Sequence, residues 1–125
     1  MKLEHFLQFI QKHSRTTKIA VNSLTEIHYI NLENIICLRA ESNYTDIILD
    51  CKQKITSCKS LKEYEDSLNP NSFFRTCKSY IINIQQVERF IKTDGGYLIM
   101  KEGYQIPVSR QKKKELLEIL GKQGV

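Results

Sequence analysis

Residues 35–57, IICLRAESNYTDIILDCKQKITS, constrain the fold of this chain more than any other stretch. Ile35, Ile36, Thr45, Ile47, Ile48, Ile55 and Thr56 are β-branched, and such side chains lose rotamer freedom in a helix but pack well on a pleated surface. Two polar breaks divide the run. The spacing predicts a strand to about Ala40, a turn near Glu41 to Asn43, and a strand from Tyr44 to Leu49. A turn at Asp50 to Gln53 then leads into a short strand over Lys54–Ser57. Turns this short join antiparallel neighbours only, because parallel strands need a crossover of a dozen residues or more.

The same alternation continues on either side. Ile19, Val21, Ile27 and Tyr29 suggest strands with alternate residues facing a core, and residues 31–34 read as a connector. Val87 to Lys92 and Tyr97 to Met100 flank Asp94-Gly95-Gly96, a hairpin signal because glycine accepts positive φ. Gln105 to Val108 is a last short strand. Helical spacing is confined to three places. Leu61, Tyr64, Glu65 and Leu68 recur at helical intervals, with Ser60 placed to cap the start and residues 69–71 (Asn-Pro-Asn) to stop it. Arg110 to Leu120 forms a final helix expected to bury Leu116, Leu117 and Leu120. Residues 1–13 place Leu3, Phe6, Leu7 and Ile10 on one stripe of a short amphipathic helix.

The expected fold class is therefore mainly β, with small antiparallel sheets and two or three short helices. Its division is an N-terminal amphipathic helix or linker over 1–16, one domain over 17–121, and a tail over 122–125. A chain of 125 residues can bury a core without staples. Apolar runs are too short for a membrane helix, and Glu4, His5, Gln8 and Gln11 interrupt any leader-like stretch, so a cytoplasmic location and no membrane partner are expected. Cys37, Cys51, Cys58 and Cys77 are scattered without a C-x-x-C pair and are expected as buried or half-buried thiols. The three histidines lie in the first quarter, away from ligand-like spacing, so no metal and no cofactor are expected.

Catalytic patterns are missing from the sequence. It holds no G-x-S-x-G, no H-E-x-x-H and no phosphate-cradling glycine loop, and Cys77 has no histidine nearby to act as its base. Glu41, Asp46 and Asp50 are expected on a solvated rim rather than as a catalytic pair. An enzyme is not expected.

The distribution of the net charge of +5 is more informative than its size. Arg110, Lys112, Lys113 and Lys114 crowd the start of the last helix, where the dipole disfavours cations by a few tenths to about 1 kcal/mol. Cations beside unpaired helix N–H groups suit an anion such as phosphate. Residues 73–83, FFRTCKSYIIN, show a related design. Phe73, Phe74 and Tyr80–Ile82 anchor two flanks, so Arg75, Lys78 and Ser79 are held at the surface between them. Rigid presentation is what phosphate and base-edge contacts require.

FFRTCKSYIIN, a hairpin with Gly95-Gly96, and IPVSRQKKKEL together resemble the LytTR DNA-binding domain of bacterial response regulators. LENIICLRAESNYTDIIL is similar to its first half, and the resemblance covers about Lys18 to Leu120. It implies an elongated stack of small antiparallel sheets whose loops enter successive major grooves of double-stranded DNA, at promoter direct repeats, without a recognition helix. By matching position, Arg110 and Lys78 would contact bases, while Arg75, Ser79 and Lys112 or Lys113 would sit near phosphates. The turn at Ser42, Asn43 and Tyr44 corresponds to a third contact region, and Asn83 to a structural residue holding the loop. Two residues depart from the pattern. Cys77 stands where histidine is common, and Lys78 replaces a frequent Arg or Asn, without the planar fork of arginine. The first helix reads either as a linker to a receiver domain or as part of an isolated output domain that meets a second copy on adjacent sites. The reading from a different class is a protein-interaction module with a basic docking face.

Overall fold

A computed structural model describes residues 18–123, so the helix expected over 1–13 and the end of the tail lie outside the described residues. Ten strands form. They are β1 (Lys18–Asn22), β2 (Ile27–Asn31), β3 (Ile35–Glu41), β4 (Tyr44–Leu49), β5 (Lys54–Ser57), β6 (Phe73–Cys77), β7 (Tyr80–Asn83), β8 (Val87–Ile91), β9 (Tyr97–Met100) and β10 (Gln105–Pro107). Two helices accompany them, α1 (Leu61–Ser67) and α2 (Arg110–Gln123). All strand pairs are antiparallel and make three sheets: β1-β2, β10-β9-β8, and a central β5-β4-β3-β7-β6. The mainly β expectation agrees with this arrangement.

The central sheet is covered on both faces, which explains the unbroken apolar run at its middle. Ile35, Ile36, Cys37 and Leu38 are all buried. A strict alternation would send them to two faces in turn, but the register slips between Ile35 and Cys37. The inserted residue lets both Ile36 and Cys37 join one core while Ile35 and Leu38 join the other. Burial also pushes the Cys37 thiol up to about 12, against a smaller lowering effect of Arg39, so it stays protonated.

The first core lies under α1 and the β1-β2 hairpin, with Val21, Ile30, Ile47, Leu61, Tyr64 and Ile81 among its members. A helix of seven residues cannot stand alone in water, so α1 exists because Leu61, Tyr64 and Leu68 are buried against the sheet. Ser60 caps it as expected, its Oγ accepting from the Glu63 N–H at 3.3 Å. The second core joins the sheet to β9, β10 and α2 through Ile48, Phe74, Ile82, Leu98, Met100 and Leu116.

Four side chains depart from expectation. Leu117 is 42% exposed, because the stripe through Leu116 continues at Ile119 and Leu120 and leaves Leu117 about 100° round the helix. Cys51 and Cys58 are exposed rather than buried, since both fall in turns next to β5, while Cys77 is half-buried. All four cysteines are free thiols. Asp46 is not on a solvated rim. The register sets it opposite Arg39 on β3 and Thr56 on β5, and only 3% of it is exposed. Arg39 Nη2 donates to its Oδ2 at 2.9 Å and Thr56 Oγ1 to its Oδ1 at 2.7 Å, with Lys54 Nζ at 3.9 Å.

Candidate nucleic-acid interface

One end of the central sheet gathers three segments that are far apart in sequence. Glu41 pairs with Tyr44, so Ser42 and Asn43 form the β3–β4 turn, with Ser42 at φ 54°. Cys77 pairs with Tyr80, so Lys78 and Ser79 form the β6–β7 turn. Because Arg39 on β3 pairs with Tyr80 on β7, both turns leave the sheet at the same end. A backbone hydrogen bond from Ala40 N to Ser79 O, 2.8 Å, fixes the second turn against β3.

The start of α2 joins the row through a bulge. Between Arg75 and Cys77 the register slips, leaving Thr76 without a partner on β7. Its carbonyl instead accepts the Ser109 N–H at 2.8 Å, which sets Arg110 and the first turn of α2 beside the outer strand β6. The row therefore runs from the β3–β4 turn through the β6–β7 turn to the α2 start, with Lys78 and Ser79 in the middle.

The expected contact residues fall into two groups. Asn43, Tyr44, Lys78, Ser79 and Arg110 are exposed at this rim, and neither Lys78 nor Arg110 enters an ion pair among the described residues. Lys112, Lys113 and Arg75 are half-buried and already engaged. Lys112 Nζ lies 5.7 Å over the Phe74 ring, so its ammonium rests against the edge of the second core. Lys113 Nζ donates to Gly95 O at 2.9 Å and lies 5.8 Å over the Phe90 ring, which ties the β8–β9 hairpin to α2. No acidic residue lies in the first turn of α2.

Arg75 turns into the protein. Its Nε donates to Cys77 O at 3.1 Å, Nη2 to Lys78 O at 2.6 Å, and Nη1 to Glu65 Oε1 on α1 at 2.9 Å. Asn83 is structural, as expected, but it holds the opposite end of β7. Its Nδ2 donates to Ile35 O at 2.8 Å and its Oδ1 accepts from Gln85 N at 3.1 Å, which fixes the entry to β3 rather than the β6–β7 turn.

Sequence reasoning missed two features of this rim. Lys59 is exposed at the same end, since Ser57 pairs with Thr45 and Thr45 Oγ1 donates to Lys59 O at 2.8 Å. The Arg39–Asp46 pair lies directly behind the turns. Burial works to raise the Asp46 pKa, but hydrogen bonds from Arg39 and Thr56 and the nearby Lys54 charge outweigh it and hold the carboxyl below 3.8. Arg39 is raised in turn, chiefly by its hydrogen bond to Asp46. Neither feature has a local signal, because both depend on strand register. Among the described residues, no three His, Cys, Asp or Glu side chains converge as metal ligands would. No described helix is long and apolar enough to cross a membrane.

Comparison with known proteins places the chain in a family. The model of the LytTr DNA-binding domain family matches residues 25–121. The heme-containing CO-sensing transcriptional regulators RcoM 1 and RcoM 2 of Paraburkholderia xenovorans are each 28% identical over 110 residues, covering 86% of this chain and 41% of the relative. An uncharacterized response regulatory protein of Vibrio cholerae is 29% identical over 119 residues, covering 88% of this chain and 49% of the relative. The chain thus spans less than half the length of these curated relatives. The solved LytTr DNA-binding domain of a Bacillus cereus protein superposes with a TM-score of 0.72 at 22% identity, over 84% of this chain and 97% of that one, a likeness of fold. With its family match spanning both turns and the start of α2, the chain belongs to the LytTr DNA-binding domain family, a non-enzymatic family found in transcriptional regulators and response regulators.

Proposed function

We propose that this domain reads double-stranded DNA sequence-specifically from the rim formed by the two turns and the α2 start, within a cytoplasmic transcription regulator. The observation that carries this reading is the hydrogen-bonded convergence of three segments at one end of the central sheet, through Ala40 N to Ser79 O and Ser109 N to Thr76 O. Exposed donors at that end differ in reach and charge, as base and phosphate contacts demand. Arg110 and Lys78 take base edges in the major groove, where a cation reaches the acceptors of guanine. Ser79, Lys112 or Lys113, and the added Lys59 take phosphates, and Asn43 and Tyr44 form the third contact region at the other end of the row. The targets are direct repeats at promoters, with a receiver domain or a second copy on the adjacent site as the further partner.

The test is a selection from a pool of random duplexes near physiological salt, with the retained DNA sequenced. Enrichment of a short motif, repeated at about one helical turn, is the expected result. Retention without enrichment would reduce the rim to a polyanion-binding surface. No retention would favour an acidic protein partner for the same basic face.

A further inference from the structure

The β6–β7 turn should not hold its shape by backbone preference alone. Two-residue hairpin turns that match strand twist place positive φ at the first central residue or at both. Lys78 and Ser79 have no positive φ. The turn also follows the bulge at Thr76, which loosens the ladder just before it. Side chains or neighbouring strands must therefore hold it, and all three carbonyls around the turn are in fact held. Cys77 O accepts from Arg75 Nε at 3.1 Å, Lys78 O from Arg75 Nη2 at 2.6 Å, and Ser79 O from Ala40 N at 2.8 Å. The third arm of the guanidinium is anchored on α1 by Glu65 Oε1 at 2.9 Å.

We infer that Glu65 and Arg75 form a clamp that positions Lys78 and Ser79 for DNA, and that Arg75 acts as a positioning residue rather than a phosphate ligand. The inference rests on the DNA-reading proposal above for its functional part. Its structural part stands alone. A planar fork can span two successive carbonyls and a carboxylate together, which an ammonium cannot do. The charge of Arg75 is matched by Glu65, so little of it is left to attract a phosphate. Glu65 is itself steadied from the exposed side by Lys62 at 3.8 Å, one turn earlier on α1.

Charge makes the decisive experiment. Glu65→Gln removes a negative charge near the DNA-facing rim, which by electrostatics alone tightens binding to a polyanion. The clamp predicts the opposite. Binding of Glu65→Gln, Arg75→Lys, Arg75→Gln and wild type is measured against a duplex recovered by the random-pool selection, across a salt series. Expected is a loss of about tenfold for Glu65→Gln and for Arg75→Lys, with the salt slope unchanged, because a mispositioned Lys78 loses one base readout. Tighter or equal binding by Glu65→Gln, or a slope shallower by about one unit in Arg75→Gln, would overturn the clamp and return Arg75 to the phosphates. Amide hydrogen exchange of Lys78, Ser79 and Tyr80 is followed in the free proteins, with the Ser42–Asn43 turn as internal control. Faster exchange confined to the β6–β7 turn in Glu65→Gln is expected. Unchanged exchange there would refute the clamp even if DNA reading holds. Faster exchange with no sequence-selected duplex would refute the DNA reading and leave the clamp.

Discussion

Replacing Asp46 by Asn tests how the rim is supported. The Asp46 side chain is 4% exposed and receives Arg39 at 2.9 Å and Thr56 at 2.7 Å. Asparagine keeps the volume and can still accept from Arg39 with its amide nitrogen turned to the Thr56 hydroxyl, but it removes the counter-charge. Breaking a buried ion pair from one side costs about 3–5 kcal/mol. Arg39 is 35% exposed and can recruit water, which lowers the expected cost to about 2–3 kcal/mol at neutral pH. With a urea m-value of about 1.5 kcal/mol/M, the unfolding midpoint should fall by about 1.5 M. The pH dependence has a fixed sign. The folded carboxyl titrates below its ordinary value of 3.8, so its stabilising effect is complete above that value. It is lost as pH falls through the lower folded value. The gap between wild type and Asp46→Asn should thus be flat from pH 7 to pH 5 and close below about pH 4. Urea titrations at pH 7, 5 and 3 measure it. A gap under about 0.5 kcal/mol at pH 7, or one undiminished at pH 3, would refute the assignment of Asp46 as an ionised partner of Arg39.

Other substitutions probe the rim directly. Arg110→Ala should cost about 1–3 kcal/mol in DNA binding and relax preference at one base position, read by repeating the selection with the variant. An unchanged motif would remove Arg110 from base readout. Lys113→Ala should weaken all duplexes alike and shallow the salt slope by about one unit, as measured by titration at several salt concentrations. Gly96→Ala should destabilise by about 1–3 kcal/mol in urea unfolding and also weaken DNA binding. Its φ is +90°, and a Cβ would stand 2.6 Å from Phe90 Cζ and 2.8 Å from Lys113 Cε, displacing the lysine that Gly95 O holds.

The elements of this fold were legible because each is set by neighbours in sequence. β4 follows from Thr45, Ile47 and Ile48 between two polar turns, and α1 from Leu61, Tyr64 and Leu68 behind a serine cap. The hairpin at Gly95-Gly96 was equally local, both glycines having φ above +80°. What the sequence could not show was fixed by register and by bulges, which pair residues from different segments. Asp46 reads as a surface acid until β3 and β5 set Arg39 and Thr56 on either side of it. Lys59 reads as an ordinary loop cation until the pairing of Ser57 with Thr45 carries it to the rim.

Arg75 is the most instructive case, because its residue type and its place in a basic loop both point outward. It sits in FFRTCKSYIIN with the same local credentials as Lys78. The difference lies in α1, whose Glu65 meets its guanidinium, and in a turn whose backbone lacks the φ values that would let it stand unaided. An arginine beside a turn that faces DNA can raise affinity in two ways: by adding a charge, or by fixing the geometry of another charge. The first is weakened steeply by salt and carries no sequence information, whereas the second acts only through the residues it positions. Glu65 moves Arg75 from the first role to the second. By that reasoning, the acid on α1 contributes to DNA recognition with a sign opposite to its own charge.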